Sequence, residues 1–132
     1  MLKLKKELLE RIVKHSLAEF PNEACGILSG SKEIVRKAYE MTNAEKSPET
    51  FFMDAREQLR VMKEIRGSGE EMIGIYHSHV ASEAYPSSHD VELALYPEAS
   101  YVIISIKDKK NPSIRSFKIV EGEIAEEELK IE

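Results

Sequence analysis

Leu4, Leu8, Leu9, Ile12, Val13, Leu17 and Phe20 recur at helical spacing, with Lys and Glu between them. That stripe predicts an amphipathic first helix with one face on a core. Pro21 ends it, because the residue before a proline is steered out of the helical region. Ala24 to Gly30 is short, apolar and small-sided, as in a buried strand. Glu33 to Tyr39 follows the turn signal Gly30-Ser31, so the two segments read as a hairpin. Met41 to Thr50 is polar, carries Pro48 and reads as a loop, and Phe51-Phe52-Met53 is a short apolar stretch after it. Asp54-x-x-Glu57 is a capping box opening a second helix. Leu59, Met62 with Val61, and Ile65 or Arg66 make its inner face, and Gly67-Ser68-Gly69 stops it.

The apolar run Met72-Ile73-Gly74-Ile75-Tyr76 predicts a strand that continues into His77 and His79. A third helix begins near Ser87 or Ser88 and ends before Pro97. Tyr101 to Ile106 is a continuous β-branched run, as in a strand buried on both faces. Ile114 to Val120 alternates as an antiparallel strand does, Glu121-Gly122 turns the chain, and Ile124 to Glu132 reads as a short polar tail. The expectation is a single domain, residues 1–132, of mixed α/β (α+β) class, with about three helices on a mainly antiparallel sheet of about six strands.

Composition narrows the function classes. The chain has 132 residues, 42% hydrophobic and 33% charged, which suits a globular protein with a real core. Its net charge of −5 and the lack of a basic stripe with interleaved aromatics speak against nucleic-acid binding. No apolar run approaches the roughly 20 residues of a membrane span, and the first residues form no signal peptide, so a cytoplasmic protein is expected. Cys25 is the one cysteine, which excludes an intramolecular disulfide and reads as a small buried apolar residue.

The chemistry concentrates in residues 71–95. On a strand, residues two apart face the same side, so His77 and His79 present two imidazoles to one place while Ser78 points the other way. Asp90, in the first turn of the following helix, can close a third corner. Two imidazoles and a carboxylate suit Zn²⁺, and three protein ligands leave a fourth position for water, the catalytic arrangement. Simpler readings exist. Strand histidines often only pack, and Ser87-x-x-Asp90 is by itself a capping box. His89 sits beside Asp90 but projects about 100° away around a helix, so it reads as an exposed helix-start residue. His15, on the first helix, stands apart from this chemistry. Glu23, at the mouth of its strand, would by itself read as a solvated edge residue.

His77-x-His79-x7-Ser87-x2-Asp90, with Glu23 upstream in Pro21-Asn22-Glu23-Ala24-Cys25-Gly26-Ile27-Leu28-Ser29-Gly30, resembles the JAMM (MPN-plus) zinc metallopeptidases. The likeness runs over roughly residues 5 to 120. Many members place Pro directly after the second His, where this chain has Val80. The stretch His77-Ser78-His79-Val80-Ala81-Ser82-Glu83-Ala84-Tyr85-Pro86-Ser87-Ser88-His89-Asp90 is most similar to the sulfur-carrier–cysteine peptidase branch. The resemblance implies a curved JAMM/MPN sheet flanked by helices. It implies Zn²⁺ on His77, His79 and Asp90, Glu23 as general base, and Ser87 as hydrogen-bond donor to an oxyanion. It also implies a ubiquitin-like sulfur-carrier partner with a Gly-Gly tail, from which cysteine is released. The loops Asn43 to Thr50 and Ala81 to Tyr85 are candidate edges for that tail, with Tyr85 a candidate substrate contact. An isopeptidase acting on lysine keeps the same chemistry. A metal-free MPN scaffold, or a zinc store closed by His89 or Cys25 as fourth ligand, would be different classes.

Overall fold

The computed structural model describes all 132 residues, Met1–Glu132. In chain order the elements are β1 Leu2–Leu4, α1 Lys6–Glu19, β2 Cys25–Ser31, β3 Ile34–Met41, α2 Ala55–Gly67, β4 Glu71–His79, α3 Ser88–Glu92, β5 Ser100–Ser105, β6 Ser113–Val120, β7 Glu123–Glu127 and β8 Leu129–Ile131. All eight strands join one sheet in the order β7-β6-β5-β4-β2-β3-β1-β8. Four of its seven pairings are antiparallel, and β4–β5, β1–β3 and β1–β8 are parallel. The two outermost strands, β7 and β8, are separated in sequence by Glu128 alone, and the Leu2 amide donates to the Glu128 carbonyl at 2.9 Å. The sheet therefore curls until its two edges approach each other.

The strand alternation divides the core. Cys25, Ile27, Ile75, Tyr101, Ile103 and Phe117 share one side with Val61 and Ile65 of α2. Leu28, Tyr76, Val102 and Ile104 share the other with Ile12 of α1 and with Leu2 and Leu4. His77 continues the side of Ile75, so it faces α2, while Tyr76 lies beneath α1.

Several expectations are revised. Leu4 belongs to β1 and not to the first helix: Leu2 and Leu4 point inward from a short strand beside β3. The polar tail is two strands, β7 on β6 and β8 on β1, held by backbone pairing that a polar sequence does not announce. The strands therefore number eight, more than the six expected. In α2, Val61 and Ile65 are buried while Leu59 is 59% exposed. The hairpin turn between β2 and β3 falls on Lys32-Glu33, both at positive φ, and Gly30 lies inside β2 at a register shift. There a β-carbon would stand 1.9 Å from the Ile34 carbonyl oxygen, so only glycine fits.

Candidate metal centre

β4 is the strand on which the centre is built. It lies between β2 and β5, and its last residues pair on both sides: His77 with Cys25 and Ile103, His79 with Ser105. Ser78, facing away, accepts a hydrogen bond from the Ala24 amide at 2.8 Å, which ties β4 to the residue after Glu23. α3 delivers Asp90 through the expected capping box. The Asp90 amide donates to Ser87 Oγ at 3.1 Å, and the Ser87 amide donates to Asp90 Oδ2 at 2.9 Å. The cap that starts the helix thus also fixes the aspartate's rotamer.

The three side chains meet. His77 Nε2 is 3.1 Å from His79 Nε2 and 3.2 Å from Asp90 Oδ2, and His79 Nε2 is 3.0 Å from Asp90 Oδ2. All three residues are buried. One proton cannot lie along all three edges of such a triangle, whereas one cation at its apex can. Tetrahedral ligands held about 2.0–2.1 Å from a zinc ion stand roughly 3.3 Å from one another, close to the observed edges. The donor set and its dimensions therefore fit a divalent metal of the zinc type. Cys25 and His89 lie outside this cluster, so no fourth protein ligand closes it.

The surroundings tune each group differently. Burial pushes His77 below the usual imidazole range, against the pull of Asp90. Burial also works to lower His79, but the Asp90 carboxylate and the Glu83 carbonyl, 2.8 Å from its Nδ1, outweigh it and raise its pKa. Asp90 is buried, yet its contacts to His77 and His79 hold it well below the usual carboxylate range. Glu23 is 3% exposed, its Oε1 has no hydrogen-bond partner, and burial raises its pKa to about 8. An orphaned buried carboxyl is costly, and it is the kind of group that active sites retain.

An apolar cleft of about 170 Å³ opens beside His77 and Asp90, walled by Phe51, Phe52, Leu93 and Leu95 among others. Gln58 and Tyr96 also line it, and Gln58 Nε2 donates to the Tyr96 hydroxyl at 3.4 Å. Tyr85 does not line this cleft. Its ring meets Phe117 edge-on at 5.4 Å and stays half-exposed. In the sequence Phe51 stands out only as part of a short apolar stretch, and Leu93–Leu95 only as a helical pattern. Two phenylalanines between a polar loop and a capping box were the available signal.

A curled sheet with a His-x-His strand end, a capped aspartate and a buried upstream glutamate defines a JAMM-type hydrolase. A family model described as prokaryotic homologs of the JAB domain matches residues 5–120, and the chain belongs to that family. It is 40% identical to the CysO-cysteine peptidase of Mycobacterium tuberculosis over 99% of this chain and 91% of that protein. It is 32% identical to a probable TtuB-protein conjugate cleaving protease of Thermus thermophilus over 88% of this chain and 74% of that one. The solution structure of a Desulfitobacterium hafniense protein, 40% identical, superposes with a TM-score of 0.91 over 100% of this chain and 93% of that one. No helix is long and apolar enough to cross a membrane.

Proposed function

We propose that this chain is a zinc-dependent peptidase. It cuts the bond after the C-terminal Gly-Gly of a ubiquitin-like sulfur-carrier protein and thereby releases cysteine, in the cytoplasm, where a lone thiol such as Cys25 stays reduced. The observation that carries the reading is the meeting of His77 Nε2, His79 Nε2 and Asp90 Oδ2 within 3.0–3.2 Å, beside the unpartnered carboxyl of Glu23. Similarity to the CysO-cysteine peptidase across nearly the whole chain supports the substrate class.

His77, His79 and Asp90 would hold the zinc ion. Bound there, zinc supplies Lewis acidity toward a carbonyl and lowers the pKa of water toward neutrality. Glu23 takes a proton from the attacking water and later gives it to the departing amine. Without metal, burial holds the Glu23 carboxyl at about 8, mostly protonated near neutral pH; a dication held by His77, His79 and Asp90 would lower that value, leaving a carboxylate free to take the proton and still basic enough to carry it. Ser87 has a second capacity. Its Oγ accepts from the Asp90 amide, and its own O–H remains free to donate to the oxyanion that forms at the scissile carbonyl. A tail ending in Gly-Gly lacks side chains and can lie extended in the narrow cleft beside His77. Tyr85, adjacent to Pro86 of the cleft wall, is a candidate contact for the carrier.

The second reading, an isopeptidase that frees lysine from ubiquitin-like modifiers, is favoured by the Thermus relative. A metal-free scaffold is disfavoured because nothing selects for three converging ligand atoms and an orphaned buried carboxyl in a protein that only binds others.

The test offers purified protein two carriers, one ending in Gly-Gly-Cys and one linked through a lysine isopeptide, with and without chelator. Preferred release of cysteine, lost with chelator, is expected. Preference for the isopeptide selects the second reading, and turnover indifferent to metal removes both. Glu23→Gln should keep stoichiometric zinc and lose nearly all turnover. Loss of zinc in that variant would make Glu23 a ligand or a prop instead.

A further inference from the structure

The two histidines of the centre are held in different ways. A histidine that ligates a metal through Nε2 ordinarily donates its Nδ1–H to a carbonyl or carboxylate, which sets its tautomer and ring plane. His79 follows that rule, with Nδ1 2.8 Å from the Glu83 carbonyl. His77 does not. Its Nδ1 is buried and has no hydrogen-bond partner. What lies against the imidazole is the ring of Phe51, stacked with centroids 4.6 Å apart and planes 26° from parallel.

Phe51 is itself firmly placed. It comes from the segment between β3 and α2, which is pinned by the buried side chain of Asn43. Asn43 Oδ1 accepts from the Phe52 amide at 3.2 Å, and its Nδ2 donates to the Thr50 and Glu23 carbonyls, each at 3.0 Å. The Ala44 amide donates to the Phe52 carbonyl at 2.8 Å. One asparagine therefore anchors the backbone on both sides of Phe51 and the backbone of Glu23 together.

We propose that Phe51 is the positioning residue for His77, its ring face fixing the imidazole plane in place of the hydrogen bond that Nδ1 lacks. This goes beyond the peptidase reading but rests on its metal site. A flat π-face limits tilt of a neighbouring ring where an aliphatic group of like volume does not. Without it, rotation about the last side-chain bond carries Nε2 off the point it shares with His79 and Asp90. Support of this kind around a metal-ligating histidine sets affinity over a range of about 10- to 100-fold.

Because Phe51 also walls the cleft, turnover alone would confuse its roles, so the readout is zinc affinity. Wild type, Phe51→Leu and Phe51→Tyr are titrated with zinc against a competing chelator, and the melting of each metal-free protein is recorded. Phe51→Leu should bind zinc about 10- to 100-fold more weakly, with a metal-free melting temperature within about 5 °C of wild type. Phe51→Tyr, which keeps the face, should stay within about threefold of wild type. Equal affinity in Phe51→Leu and wild type overturns the proposal, as does a Phe51→Tyr variant as weak as Phe51→Leu. A zinc loss accompanied by collapse of the metal-free melting transition also overturns it, by making Phe51 an ordinary core residue. Wild type that binds no stoichiometric zinc overturns the metal-site reading itself, whereas wild-type binding matched by Phe51→Leu overturns only the stacking role.

Discussion

Replacing Gly26 with alanine puts a methyl group where the ring of Tyr76 lies. The two residues face each other across β2 and β4, and the phenol covers the glycine so closely that an added β-carbon would sit 2.0 Å from Cε2, 2.3 Å from Cζ and 2.5 Å from Oη. Ordinary contact begins at 3.4 Å, so the ring must retreat by roughly 1.4 Å. Tyr76 is fully buried, and its hydroxyl is 2.7 Å from His15 Nδ1. A retreat of that size breaks the bond and orphans two buried polar atoms. Overpacking costs about 1–3 kcal/mol, and the orphaned pair about 1–3 kcal/mol more. The stiffer unfolded chain of alanine returns about 0.5–1 kcal/mol. The net loss is roughly 1–5 kcal/mol, or about 4–20 °C at this chain length. Urea unfolding of the metal-free protein measures it. The decisive arm is a double-mutant cycle with Tyr76→Leu: once the ring is gone, Gly26→Ala should cost less than about 1 kcal/mol. A Gly26→Ala cost that is small in wild type, or equal in both backgrounds, refutes the argument.

Ser87→Ala removes the cap of α3 and should cost about 1 kcal/mol in thermal melts, while turnover falls on the order of 10²-fold or more if the hydroxyl also serves the oxyanion; a stability loss with normal turnover leaves Ser87 a cap alone. His15 is buried and its pKa is lowered from 6.5, chiefly by desolvation. The unfolded chain therefore binds more protons in that window, so its stabilising effect is complete above pH 6.5 and is lost as pH falls below it. His15→Gln, which can still meet the Tyr76 hydroxyl, should flatten the decline of melting temperature between about pH 7 and pH 5, and an unchanged slope would contradict this. Lys32 and Glu33 hold positive φ in a two-residue turn where Asn-Gly is preferred. Lys32→Asn combined with Glu33→Gly should raise stability by about 1 kcal/mol in urea titration.

What the sequence disclosed follows from how local each signal is. His77 and His79 were legible as a pair because strand geometry fixes the side of every second residue, and the run before them left no doubt of a strand. Asp90 is legible through Ser87, and the capping box and a ligand role are compatible: the Ser87 amide holds the carboxylate oxygen that meets both imidazoles. Leu4 reads as helical because it shares a helical spacing with Leu8, and only the neighbouring β3 and β8 decide for a strand over Leu2–Leu4. β7 and β8 were invisible for a related reason. A pattern such as Glu123-Ile124-Ala125-Glu126-Glu127 buries little, and its pairing with β6 comes from the backbone. Phe51 could not be assigned at all, because its partner is an imidazole on a distant strand.

The division of labour across β4 bears on where substrate preference resides. One face of the strand carries Tyr76, locked against Gly26 and His15, and the other carries His77 and the candidate metal site. A strand paired on both sides and packed on both faces cannot shift without disturbing two cores, so it is a poor place to tune specificity. The cleft rim is different. Phe52 is 54% exposed and Leu95 73% exposed, and both line the cleft. Under the proposed activity, a carrier that gives up free cysteine and one that gives up a lysine-bearing protein would present the same Gly-Gly to the centre. They differ in the bulk arriving beyond the scissile bond. Discrimination between them therefore falls to exposed rim residues of this kind, where substitutions near Phe52 and Leu95 should shift the ratio of the two activities while zinc affinity stays constant.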